Sequence, residues 1–451
     1  MKSPFKNWTP SQILAGGFFA LILVGTLFLT LPLSASNGVS IGLVDAFFTS
    51  VSSVCVTGLI VKDTPLDFSL FGQIVIMLLV QIGGLGYMTS ATVIYLLVGK
   101  RIGLAERLIM RENLNVLSME GLVRFTKGVL FITLVIEGIA ALLLAVRFSR
   151  DFSYLKALYL GIFHSVTSFN NAGFSLFSDN LIGYRGDFAV NVIIMANIIL
   201  GGIGFIIFSD LYRYSKREIQ NLSLHTKITL TATVLLIFMG AILLFTFENS
   251  GSAATMQGLS LTDRILVSLF HSVSARTAGF NTVNVADMAN DSLFLLIVLM
   301  VIGASPGSTG GGIKTTTFAI MMVALWTSVR GRQDTTVFRR RIPIELVAKA
   351  FLLTTMVTII IITSTTLLLL TENRSFIQTL FEVASAFGTV GLSTGDGGIL
   401  SLSGMFSTTG KIIISLTMYA GRLGPLLLSI MIVKGAYPQR YRYPEGRILI
   451  G

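Results

Sequence analysis

Four short turns built on glycine hold the residues whose types and spacing suggest chemistry. They read Val54-Cys55-Val56-Thr57-Gly58-Leu59, Asn170-Asn171-Ala172-Gly173-Phe174, Arg276-Thr277-Ala278-Gly279-Phe280 and Gly388-Thr389-Val390-Gly391-Leu392. Leu or Phe follows each glycine, and the glycines recur with a nearly constant period of about 110 residues, the mark of an internal repeat. A small hydroxyl residue stands six positions ahead of the glycine in three turns (Ser52, Thr167, Ser385) and five ahead in the third (Ser274). A ring of backbone carbonyls can replace the hydration shell of a monovalent cation, and glycine permits the dihedrals that aim successive carbonyls at one axis. The candidate ring is Val56, Thr57 and Gly58, Asn171, Ala172 and Gly173, Thr277, Ala278 and Gly279, and Thr389, Val390 and Gly391. One such glycine alone reads as an ordinary helix C-cap; four at equivalent positions call for a common site.

A second landmark follows each turn: Gly83-Gly84-Leu85-Gly86, Gly201-Gly202-Ile203-Gly204, Gly303-Ala304-Ser305-Pro306-Gly307 and Gly421-Arg422-Leu423-Gly424. The third copy runs on through Ser308, Thr309, Gly310, Gly311, Gly312 and Ile313 to Lys314. Pro306 cannot donate a helical hydrogen bond and each glycine weakens helix by about 1 kcal/mol, so a break from Gly303 to near Thr315 is predicted. Irregular backbone at membrane depth lines a cavity or lies buried, which makes this segment a candidate gate; a packing joint for close helix approach is the competing reading. Arg422 stands where other copies have Gly84, Gly202 and Ala304, too central to reach a headgroup, and therefore faces a wet axis as a pore barrier, or a buried carbonyl or ion pair.

These landmarks must be positioned by membrane helices. The chain has 451 residues, 53% hydrophobic and only 12% charged, and apolar windows of spanning length lie near 12–33, 69–97, 125–147, 187–211, 226–247, 291–327, 346–371 and 407–434. The first exceeds the core of a cleavable signal peptide. Shorter half-apolar segments near 43–54, 156–168, 263–275 and 376–387 end at the glycine turns and read as re-entrant helices. The expected fold is an all-α polytopic membrane protein of four helix, re-entrant helix, helix repeats around one central pore, with eight spanning helices. The repeats divide at 1–110, 111–220, 221–335 and 336–434, with a tail at 435–451. Lys and Arg outside the spans cluster on one side (Lys100, Arg101, Arg107, Arg111; Arg213, Lys216, Arg217; Arg339, Arg340, Arg341; Arg440, Arg442, Arg447), which places both termini in the cytoplasm and the glycine turns toward the outside.

Other chemistry is excluded or weak. The net charge of +11 lies on no basic, aromatic-interleaved stretch, so nucleic acid is set aside. One cysteine, Cys55, excludes an intrachain disulfide, and His164, His225 and His271 are too scattered for a zinc site. His164-Ser165 and His271-Ser272 cannot form nucleophile and base pairs, because neighbours on a helix do not face each other; Thr49 and Glu382 hold the corresponding places in the other repeats. Glu137, inside a predicted span, implies an internal partner or dimer contact, unless it lies at a solvated helix end. Asp45, Asp63, Asp179, Asp187, Asp287 and Asp396 would gather cations at the outer face, or are plain loop carboxylates. An enzyme would need a converging nucleophile, base and oxyanion set, and none is legible. An alternating-access secondary transporter remains the alternative, though it predicts inverted repeats and these are parallel.

From about residue 12 to 434 the chain resembles the superfamily of potassium transporters built from four non-identical M1-P-M2 repeats, akin to a tetrameric potassium channel fused into one chain. The residues that carry the resemblance are Gly58, Gly173, Gly279, Gly391, the segment from Gly303 to Lys314, and Gly421-Arg422-Leu423-Gly424. Because the spans open directly on the first repeat, without the two extra N-terminal helices of the Trk type, it looks like the membrane subunit of the bacterial Ktr type. That resemblance implies potassium uptake across the cytoplasmic membrane, stimulated by sodium and using no organic cofactor. It further implies a homodimer with one pore per subunit and a cytosolic, RCK-type nucleotide-binding ring, expected to be an octamer.

Overall fold

The computed structural model of the protein describes residues 10–86, 122–250, 255–395 and 399–424. The basic cluster at 100–111, Asp396 and the tail 435–451 lie outside the described residues. The first unit folds as α1 (Pro10–Thr30), the short α2 (Leu43–Val54) and α3 (Leu70–Leu85). The second holds α4 (Leu122–Phe148), the short α5 (Tyr154–Phe169), α6 (Phe188–Gly202) and α7 (Phe205–Ser215). The third holds α8 (Leu224–Ser250), the short α9 (Leu261–Ser274), α10 (Asn290–Val301) and α11 (Thr315–Val329), and the fourth α12 (Ile344–Thr371), the short α13 (Phe376–Gly388) and α14 (Thr408–Leu423). A two-residue antiparallel ladder, Thr336–Val337 with Arg340–Arg341, is a minor departure from the all-α expectation. Its tip, Phe338 and Arg339, has positive φ at both residues, as a tight hairpin of matching twist demands.

The expected eight spans are met in part. Among the described residues α1, α4, α8 and α12 are long and apolar enough to cross a bilayer, and α6 with α7 makes a fifth if taken as one bent span. The predicted spans 69–97 and 407–434 run on past Gly86 and Gly424 into residues outside those described, and glycine landmarks break the other two. Helix α3 ends before Gly86 (φ +81°) and α14 before Gly424 (φ +83°), while at Gly204 (φ +102°) the predicted span 187–211 turns by 93° between α6 and α7. The third break runs from Val301 to Thr315.

Each short helix packs on the long first helix of its own unit, and the helix that follows the glycine turn packs on the short helix of the next unit. Thus α3 meets α5, α6 meets α9, α10 meets α13, and α14 returns to α2, closing a ring. Phe48, Phe163, Phe270 and Phe381, fully buried, anchor the four short helices at nearly the same offset before each glycine. In lipid the gain from burying these rings is close van der Waals packing rather than removal from water. In contrast, the long first helices turn Leu27, Phe131, Leu142, Ile242, Ile359 and Leu370 outward, as lipid contact requires.

The first glycine of three breaks has a steric reason. A Cβ on Gly83 would lie 2.1 Å from the Val54 carbonyl oxygen, on Gly201 1.7 Å from that of Phe169, and on Gly421 1.9 Å from that of Phe387. Each carbonyl belongs to the last turn of the same unit's short helix, so only glycine lets the two helices approach. Gly201→Ala is expected to lower the stability of the detergent-purified protein by about 1–3 kcal/mol, the usual range for overpacking, and its melting temperature with it. Gly138→Ala, where a Cβ meets nothing within 4 Å, should melt no lower than the parent.

Candidate functional site

The four glycine turns form a closed ring. A Cβ built on Gly58 would fall 2.2 Å from the Ala172 carbonyl oxygen, one on Gly173 2.8 Å from that of Ala278, one on Gly279 2.2 Å from that of Val390, and one on Gly391 2.3 Å from that of Thr57. Each glycine therefore presses on the residue just ahead of the next glycine, and the fourth returns to the first. All four have positive φ, from +67° to +97°, which L side chains rarely adopt. Two residues earlier, Val56, Asn171, Thr277 and Thr389 also have positive φ. Asparagine tolerates that region, but for the three β-branched residues it is strain of order 1–3 kcal/mol each, held only where the surroundings over-determine it.

The recurring hydroxyls supply part of that hold. The amide of Gly58 donates to Ser52 Oγ and that of Gly391 to Ser385 Oγ, both at 3.0 Å. In the third turn, one residue shorter, Ser274 Oγ instead donates to the Phe280 carbonyl, while Thr167 donates to the Phe163 carbonyl within its own helix. The side chains of Asn171 and Thr277, at the same place in successive turns, are hydrogen-bonded at 3.1 Å.

His164 finds a positional role. His164 Nε2 pairs with Ser175 Oγ at 3.0 Å, and at the equivalent place Glu382 accepts from Ser393 Oγ at 2.6 Å and from the Ser403 amide at 2.9 Å. Ser175 and Ser393 each lie two residues past their glycine, so both pairs tie the outgoing strand back to the short helix. His271 stands at this place in the third unit with only Nδ1 bonded, to the Val267 carbonyl.

One face of the ring floors a cavity with about 700 Å³ of empty space, open to solvent, whose lining includes all four glycines, Asp63, Asp179, Asn281 and Ser393. Among the acids expected at this face, Asp45 is taken by Lys411 (2.7 Å) and Asp187 by Arg147. Asp287 accepts from Asn284 Nδ2 at 3.0 Å. Among the described residues, Asp63 and Asp179 line the cavity. Burial pushes the Asp63 carboxyl above its ordinary value, against the opposing hydrogen bond from Ser178 Oγ at 2.6 Å. Its charge is therefore lost, as pH falls, at a higher pH than an ordinary carboxylate would lose it. If this charge draws cations to the ring, half-saturation should rise on acidification before the usual carboxylate range is reached. In Asp63→Asn half-saturation should be high throughout and flat across the same window.

Against the other face of the ring lies the segment from Gly303 to Lys314. The amides of Ser305 and Thr309 donate to the carbonyls of Gly202 (3.0 Å) and Gly201 (3.3 Å), and Phe205 N donates to the Gly307 carbonyl at 2.9 Å. Gly311 N donates to Thr389 Oγ1 at 3.0 Å, and a Cβ on Gly310 would meet Thr277 Oγ1 at 2.1 Å, so two residues of the turns touch this segment directly. Ser308 Oγ donates to the Ser305 carbonyl (2.6 Å), and Lys314 Nζ folds back onto that of Gly310 at 2.7 Å.

Arg422 takes the buried-carbonyl option. It donates to the carbonyls of Thr309 and Gly83, and to that of Gly84 at 3.1 Å. Its guanidinium thus joins the fourth break to the first and to the Gly303–Lys314 segment, and all four breaks meet beneath the ring. Arg276, at the start of the third turn, is only 7% exposed, and Nη2 lies 3.5 Å from Thr233 Oγ1. Glu137 is buried with internal partners rather than solvated.

Comparison with known proteins matches this architecture. A family model described as TrkH, cation transport protein, covers residues 2–439, and the chain belongs to this family of membrane cation transport proteins. Within it, the chain is 39% identical to the Ktr system potassium uptake protein B of Bacillus subtilis (strain 168), over 99% of this chain and 97% of that protein. It is 38% identical to the protein of the same name from Vibrio alginolyticus, over 99% and 96%. Potassium/sodium uptake protein NtpJ of Enterococcus hirae is 35% identical over 99% and 98%. The crystal structure of the potassium transporter TrkH from Vibrio parahaemolyticus shares the fold, with a TM-score of 0.72 at 21% identity over 98% of this chain and 87% of that one.

Proposed function

We propose that this chain takes up potassium across the bacterial cytoplasmic membrane through the ring of glycine turns, acting as a selectivity filter. Its four units then read as M1-P-M2 repeats, with the short helices as pore helices. The observation that carries this is ring closure: each glycine abuts the carbonyl before the next, so four non-identical sequences present one set of backbone oxygens. A hydrated monovalent cation needs such neutral oxygens to shed its water, and the short helices direct their negative dipole ends toward the same centre. Relatives described as potassium uptake proteins support potassium as the ion, and one described as a potassium/sodium uptake protein keeps sodium as a second candidate.

In this reading the Gly303–Lys314 segment is the gate and Arg422 its latch. A cytosolic nucleotide-binding ring engages the basic inner loops and moves α11 against α10, and the chain works as a homodimer with its termini inside. The test is rubidium uptake into liposomes that contain the purified chain. Uptake competed by potassium far better than by sodium is the expected result; equal competition by the two ions, or no cation flux even after removal of Ser305 to Gly312, overturns the proposal.

A further inference from the structure

Glu137 lies in α4, 6% exposed, in a part of the molecule whose outer faces are apolar. A buried carboxyl is costly unless its oxygens are hydrogen-bonded, and here both are. Gln81 Nε2 donates to Oε2 at 3.1 Å and Asn170 Nδ2 to Oε1 at 3.0 Å, while Asn170 Nδ2 also donates to Gln81 Oε1 at 2.7 Å. Three side chains from three helices or their ends therefore close into one cluster.

The internal repeat shows that the fold itself does not need this carboxyl. In the first unit Ser50 Oγ donates to the Ile22 carbonyl, in the third Ser272 Oγ to that of Ile237, and in the second Ser165 Oγ to that of Glu137, each at 2.7 Å. The shared bond marks the three residues as equivalent, and two of them are isoleucine. What the second unit has in addition is Asn170, the cap of α5, where the first unit has Cys55.

Asn170 sits at a junction. It stands two residues before Ala172, whose carbonyl abuts Gly58, and its Oδ1 lies where a Cβ on Gly84 would come within 2.0 Å. The carbonyl of Gly84 in turn accepts from Arg422. We infer that Glu137 is a positioning residue for selectivity: with Gln81 it holds the Asn170 amide, which fixes the second glycine turn and braces it against the helix break where Arg422 docks. The inference rests on the reading of the ring as a filter.

The test uses the full chain in liposomes, with rubidium uptake competed by potassium or sodium. Glu137→Ile, the residue two sister units carry, should lower the preference for potassium over sodium at least fivefold while maximal flux stays within twofold. Glu137→Gln keeps one acceptor and should fall between that variant and the parent. A purely structural role predicts lower yield and flux with the preference unchanged, and that result in a folded Glu137→Ile overturns the inference. Should Glu137→Ile fail to fold, Asn170→Cys, which installs the cap of the first unit, gives the same readout: a lowered preference supports the inference and an unchanged one overturns it. If the parent chain itself shows no preference for potassium, it is the filter reading that fails, and that is visible before any variant is measured.

Discussion

Gly58→Ser should lower the preference for potassium over sodium by at least tenfold in the liposome assay. Two effects combine. At φ +89° any L side chain is strained, and the new Cβ would lie 2.2 Å from the Ala172 carbonyl oxygen, so the substituted turn and the next one both have to move. Carbonyl placement, which selects the ion, is thereby disturbed in two of four quarters, and a hydroxyl joins the ring. The same geometry ranks the four positions: Gly279 and Gly391, at 2.2 and 2.3 Å, should be as sensitive as Gly58, whereas Gly173, at 2.8 Å, should be the most tolerant. Gly128→Ser, where a Cβ meets nothing within 4 Å, is the control. Unchanged ion competition in a well-folded Gly58→Ser would reduce that glycine to a helix cap.

Arg422→Gln should raise maximal flux about tenfold and make it less dependent on a cytosolic partner. The guanidinium spans the carbonyls of Thr309, Gly83 and Gly84, so its loss frees the Gly303–Lys314 segment from the first unit. It also removes a positive charge from beneath the ring, where the low dielectric makes its repulsion of a cation strong. Arg422→Lys separates the two contributions, because lysine keeps the charge and loses the fork that reaches two carbonyl groups at once. Parent-like flux in Arg422→Lys assigns the barrier to charge, and Gln-like flux assigns it to the latch. A folded Arg422→Gln with flux no higher than the parent contradicts both. Removing Ser305 to Gly312 should likewise speed potassium movement and relax the need for the partner if the segment is a gate; poor folding or no gain is the mark of a packing joint.

Much of the fold was legible because its determinants are local in sequence. The short helices lie within a few residues of the segments that half-apolar composition marked out, and the break between Val301 and Thr315 follows from Pro306 and its glycines. The Ser52 and Ser385 echoes were visible as spacing, and the buried phenylalanines Phe48, Phe163, Phe270 and Phe381 repeat just as regularly, a further signal of the short helices that the four units carry in their sequences.

Other features depended on contacts between units hundreds of residues apart, which no local pattern encodes. That Gly391 meets Thr57 and closes the ring, and that Arg422 reaches Gly83 rather than open water, are consequences of α14 packing back onto α2. The right-angle turn at Gly204 was hidden because the apolar run of α6 continues past it to Phe208, and hydropathy measures apolarity, not direction. Composition likewise left Glu137 between an internal partner and a solvated end. The choice fell to Gln81 and Asn170, which only the meeting of α3, α4 and α5 brings within hydrogen-bond reach, and a carboxyl in an apolar bundle takes the side on which both oxygens find donors.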